Sequence, residues 1–72
     1  MADNSVYKVI ELVGTSSEGW EQAVSAAVGR ASQSLRDLRI AEVSTLDVQI
    51  ENGAVTYYRA KVKVSFKYEG GD

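Results

Sequence analysis

Residues 56–68 read "TYYRAKVKVSFKY", and their alternation decides the fold. Tyr58, Ala60, Val62, Val64, Phe66 and Tyr68 share one parity; Tyr57, Arg59, Lys61, Lys63, Ser65 and Lys67 share the other. A period of two is the signature of a β-strand with two distinct faces. The first face needs a core. The second is mostly basic but opens with an aromatic ring.

Just upstream stands Asn52-Gly53, the strongest short-range hairpin signal. Before it, "RIAEVSTLDVQIE" at residues 39–51 is a second strand. A two-residue loop fixes the register, so that facing residues sum to 105. Val43 then faces Val62, Ala41 faces Val64, Glu42 faces Lys63 and Ser44 faces Lys61. Nearer the turn, Ile50 faces Val55, Val48 faces Tyr57, and Leu46 lies beside Arg59. These two apolar groups fall on opposite faces, because parity fixes the face of every side chain. Either a bulge near Ser44-Thr45 flips the register, or the outer hairpin buries its reverse face elsewhere. The chain has no second helix to cover that face, so another subunit is the expected cover.

Residues 5–14, "SVYKVIELVG", form a first strand ending at Gly14. Val6, Ile10 and Leu12 point one way, and Tyr7, Val9 and Val13 the other. Residues 15–38 form a helix. Thr15 with Glu18 fits a capping box, with Ser16 and Ser17 as alternative caps. Trp20, Val24, Ala27, Val28, Ala31, Leu35 and Leu38 recur at three- and four-residue steps as an apolar stripe, which places Trp20 in the core. Ala23, Ala26, Ala27 and Ala31 thin the helix so that it can lie close on a sheet. Gly29 either permits a close approach or is a tolerated defect. "EGGD" is a frayed tail. The expected fold is α+β: a β-α-β-β chain whose three-stranded antiparallel sheet packs on one long helix, with residues 1–72 as a single domain.

Size and composition bound the function. Chains below roughly 70–80 residues commonly need disulfides, a metal or oligomerisation. The 72-residue chain has no cysteine and no histidine, so disulfides and a structural zinc site are excluded and oligomerisation is left. A net charge of −2 argues against a general nucleic-acid binder. No run approaches the roughly 18 apolar residues of a membrane span. The opening "MADNSVYK" has no basic-then-apolar signal pattern, so a cytoplasmic location is expected.

No catalytic constellation is present: the serines lack a histidine partner, and "GTSSEG" lacks the lysine and glycine spacing of a phosphate loop. Asp47, Gln49 and Glu51 form a row at alternate positions. Asp47 and Glu51 are the candidates for a hard-cation site such as one for Ca²⁺. A solvated strand face explains the same row.

"YKVIELVGTSSEGWEQAVSAAVGRAS", followed by "LRIAEV" and "YYRAKVKVSF", resembles the dodecins from Tyr7 to about Tyr68. "VGTS" and "KVSF" are the most specific pieces. The resemblance implies a small non-enzymatic protein that assembles as a hollow homododecamer. It implies a role in storing or buffering a small ligand: flavin (FMN or riboflavin) in many members, coenzyme A in some bacterial ones. In flavin-binding members a tryptophan stacks on the isoalloxazine, and a glutamine bonds its polar edge. The matching positions here are Ile40 and Arg59. Ile40 has no π-face, and Arg59 donates but cannot accept. Tyr57 and Tyr58 are the only nearby rings that could stand in. An aliphatic residue and an arginine at these two places are similar to the branch associated with calcium.

Overall fold

The computed structural model describes residues 4–68; the "EGGD" tail lies outside them. The chain runs β1 (Tyr7–Ser16), α1 (Trp20–Ser34), β2 (Leu38–Glu51) and β3 (Ala54–Lys67). The strands form one antiparallel sheet in the order β1-β3-β2, with α1 packed on one face. The long two-faced strand is therefore the centre of the sheet, hydrogen-bonded on both sides.

The core lies where β3 meets the helix. Ala60, Val62 and Val64 are buried against Ala23 and Ala27, flanked by Ile10, Leu12, Val24 and Leu38. The small helix residues set the distance. A Cβ on Gly14 would overlap the Ala23 carbonyl oxygen. Only the absence of a side chain there lets helix backbone and β1 approach so closely. The buried stripe centres on Ala23, Ala27 and Ala31, as the thinning of the helix predicts.

The ends of the first two elements differ from the sequence reading. Strand β1 does not stop at Gly14; Thr15 and Ser16 still pair with Arg59 and Tyr58. Thr15 is thus held in the sheet, and the capping box with Glu18 does not form. The Glu18 N–H instead donates to Ser16 Oγ at 3.0 Å, a local turn. The helix starts at Trp20 with extended Gly19 as its cap residue, whose carbonyl accepts from the Ala23 N–H. It ends at Ser34, short of residue 38. Leu35 is extended, Asp37 takes a left-handed φ of 60°, and Leu38 opens β2 instead of closing the helix. Aspartate is among the few residues that tolerate that region. A Cβ added at Gly29 would meet nothing within 4 Å among the described residues, so this glycine serves no close approach there.

The hairpin turn is as expected. Asn52 (φ 53°) and Gly53 (φ 77°) are both left-handed, the requirement of a type I′ turn. The sum of 105 holds for Ile50↔Val55 and again for Val43↔Val62, Glu42↔Lys63 and Ala41↔Val64. Between these segments the register shifts by one residue, with irregularities at Val43/Thr45 and Gln49/Ile50. Lys61 therefore faces Thr45, not Ser44; Ala60 faces Leu46; Arg59 faces Asp47; and Tyr58, not Tyr57, faces Val48. Ser44 is the unpaired bulge residue, and its hydroxyl donates to the Lys61 carbonyl at 3.2 Å. Of the two ways to resolve the parity conflict, the bulge is the one observed. A second unpaired residue, Thr56 at the Gln49/Ile50 shift, compensates it, and between the two Leu46 and Val48 lie on the helix side.

One helix cannot cover this hairpin. The 14-residue strands span about 46 Å, whereas the 15-residue helix spans about 22 Å. Val9, Val13, Ile40, Val43, Leu46, Ile50, Val55 and Tyr57 stay exposed in the isolated chain.

Candidate functional site

The register places the candidate residues in rows across the sheet face turned away from the helix. One row reads Thr15–Arg59–Asp47, from β1 through β3 to β2. The next reads Val13–Lys61–Thr45, and the one after it Glu11–Lys63–Glu42. The row beyond is Val9–Ser65–Ile40.

In the first row Arg59 and Asp47 form a two-pronged ion pair. Arg59 Nε donates to Asp47 Oδ1 at 2.8 Å, and Nη2 donates to Oδ2 at 3.2 Å. Parallel bonds of this kind fix the guanidinium plane as well as its position. Hydrogen bonding to Arg59 holds the Asp47 carboxyl below its ordinary pKa, against desolvation, with further help from the charges of Arg59 and Lys61. The same bond raises Arg59. Both side chains are half-exposed, so the pair defines geometry more than stability.

Trp20 joins this root of the hairpin from the other side of the sheet. Its Nε1–H donates to the Asp47 backbone carbonyl at 3.0 Å. Its ring meets Tyr58 edge-on, with centroids 5.2 Å apart and planes at 78°. Trp20 is 41% exposed. It is not the core residue that the helical stripe predicts, because a helix beginning at residue 20 puts it at the open end of the sheet. Nothing in the local sequence signals this contact; it depends on the bulge that presents Asp47.

The remaining candidates sit apart. Ile40 is 68% exposed and pairs with Ser65, whose hydroxyl donates to the Ile40 carbonyl at 3.3 Å. Ser65 lies six residues along β3 from Arg59, so Ile40 and Arg59 are about 20 Å apart within one chain. Beside Ile40 is an open cleft of about 160 Å³, lined by Val28, Leu38, Arg39, Ala41 and Val64 as well. Tyr57 is exposed opposite Gln49, while Tyr58 is engaged with Trp20. Glu51 accepts from the Gln49 side-chain amide at 2.8 Å, and Asp47 is taken by Arg59. Among the described residues no three acidic side chains gather in a metal-holding group.

The sheet, the helix and the "VGTS" turn together match one family model, Dodecin, over residues 6–69. The chain belongs to the dodecin family. Calcium dodecin from Mycobacterium tuberculosis is 48% identical over 63 residues, covering 88% of this chain and 89% of that protein. Its crystal structure, described as calcium-chelating with a novel calcium-binding site, covers 94% of this chain and 97% of its own at a TM-score of 0.81. Dodecin from Thermus thermophilus is 44% identical over 64 residues, covering 89% of this chain and 93% of that protein. The dodecin of Streptomyces coelicolor superposes at a TM-score of 0.89 with 46% identity, covering 94% of this chain and 97% of its own. These dodecins share the β-α-β-β fold described above.

Proposed function

We propose that this dodecin is a non-enzymatic shell protein, one domain per chain, that assembles as a homododecamer and sequesters a small ligand or ion other than flavin. The observation that carries the reading is the two-pronged Arg59–Asp47 pair. Where the flavin-type pattern has a glutamine amide that both donates and accepts, this chain has a donor-only group already committed to a carboxylate. Ile40 removes the stacking partner as well. An aromatic pair contributes about 0.5–1.5 kcal/mol beyond area burial, and an aliphatic side chain contributes none of that increment.

Calcium is the first ligand to test, since a relative at 48% identity is named for it. Coenzyme A is the second, with its phosphates held away from the Arg59–Asp47 pair. Asp47 and Glu51 are the carboxylates offered for calcium; Asp47 would leave Arg59 to join the ion, and neighbouring copies would supply the other ligands. Among the described residues no helix is long and apolar enough to cross a membrane, and a cytoplasmic location accords with this reading.

The deciding experiment titrates FMN and riboflavin into the purified full chain and into Ile40→Trp/Arg59→Gln, following flavin fluorescence. The natural protein should leave flavin fluorescence unchanged, and the double variant should quench it. Micromolar quenching by the natural protein would establish flavin storage instead, with Tyr57 or Tyr58 standing in for the missing ring.

A further inference from the structure

The face around Arg59 has an uneven charge pattern. Lys63 is flanked by Glu11 and Glu42, so its row carries its own compensation. Lys61 is flanked by Val13 and Thr45, neither of them charged. Arg59 is flanked by Thr15 and Asp47. Arg59 and Lys61 lie on the same face, about 7 Å apart along β3. Asp47 is the acid that answers both: it binds the guanidinium directly, and the Lys61 charge acts on it as well.

From this we infer that Asp47 sets the charge selectivity of the face: by occupying the Arg59 guanidinium beside Lys61, which no charged residue flanks in the sheet, it weakens the binding of phosphate-bearing ligands. The geometry of the pair is the one a phosphate would seek. Two parallel N–H donors meet two oxygens of one acid, the arrangement by which arginine recognises carboxylate and phosphate alike. Asp47 is therefore an internal competitor. An incoming phosphate must displace a carboxylate that is already in place, tethered to the same sheet and held by two bonds. It must also approach against that carboxylate's charge. The backbone of Asp47 is fixed independently by Trp20, whose indole bonds the carbonyl and not the side chain. Removing the carboxylate thus leaves the strand where it is and frees two cations at a spacing suited to a diphosphate, with the Thr15 and Thr45 positions beside them.

This inference deepens the reading of the protein as a small-ligand holder by specifying which ligands the Arg59 face turns away. Its test uses inorganic pyrophosphate, followed by calorimetry and by the emission of Trp20, the only tryptophan. The full chain is compared with Asp47→Asn, Asp47→Ser, Asp47→Glu and Asp47→Asn/Arg59→Gln. Asp47→Asn and Asp47→Ser should each bind pyrophosphate about five-fold more tightly than the natural protein, the upper range for an exposed charge pair. Asp47→Glu should bind no better than the natural protein. Adding Arg59→Gln should abolish the gain. Native mass and circular dichroism identify the variants that keep the fold. Asp47→Ser carries the comparison if Asp47→Asn does not fold, because it too retains the Trp20 bond to the backbone. Equal affinity in the natural protein and the neutral variants would overturn the inference, as would a gain that survives Arg59→Gln. Flavin uptake by the natural protein overturns the non-flavin reading and leaves this comparison intact, so the two fail separately.

Discussion

Two residues show how much a single side chain, or its lack, decides here. Gly14 sits where β1 passes under the helix, and a Cβ would run into the backbone of Ala23. Backbone cannot swing aside as a flexible side chain can. Gly14→Ala should therefore cost at least the 1–3 kcal/mol, roughly, of an overpacked core, read from the midpoint of chemical denaturation. A change below about 0.5 kcal/mol, the ordinary range for surface substitutions, would contradict the close approach. Asp47 is the second residue. Its folded pKa is lowered by Arg59, so the pair stabilises the native state above the carboxyl's unfolded pKa and that contribution disappears as pH falls. The natural protein should be more stable than Asp47→Asn near neutrality, and the two denaturation midpoints should converge as pH drops below about 3.9. A gap that stays constant across that window would show that the carboxylate's charge is not what matters.

At the scale of the element, a segment shifted by one residue is the feature on which the site depends. Thr56 on β3 and Ser44 on β2 are left unpaired at its two ends, so that Leu46 and Val48 lie on the helix side and Asp47 stands opposite Arg59. Deleting Ser44 would bring Val43 next to Thr45, opposite Val62 and Lys61, and leave every pair from Thr45 to the turn unchanged. Trp20 emission should therefore be the same in the shortened chain. A shift in that emission would mean that the Ser44 bulge itself positions Asp47. The helix shows the same principle at lower cost. Its stripe of Ala23, Ala27 and Ala31 is legible at four-residue steps, but its start is not, because the sheet claims Thr15 and Ser16 before they can cap.

At the scale of the whole molecule, surface left uncovered is the dominant fact. A helix half the length of the hairpin shields one face along part of the sheet, and Val9 and Val13 remain more than half exposed on the other. So much apolar area on a small chain marks an interaction surface. The purified protein should run in native mass spectrometry at the mass of a homododecamer. Val13→Glu should shift it toward smaller species, since Val13 is exposed and lies outside the chain's own core. A protein that is monomeric at micromolar concentration, or an assembly indifferent to Val13→Glu, would remove the basis for a shell.

The amino-acid sequence was sufficient for the order of elements, the two-faced central strand, the Asn52-Gly53 turn and the register at both ends of the hairpin. Each of these rests on local rules: side-chain parity, turn chemistry and helical periodicity. It also exposed the conflict between the two apolar groups of β2 and β3, and named a bulge near Ser44-Thr45 as one resolution. The choice between resolutions, and everything that follows from it, waited on the packing of the strands and helix. The Asp47–Arg59 pair, the Trp20 bond to the Asp47 carbonyl and the loss of the capping box all depend on which residue stands opposite which. That is settled when strands pair and the helix docks. A shift of one residue leaves every local preference satisfied and turns every side chain to the other face.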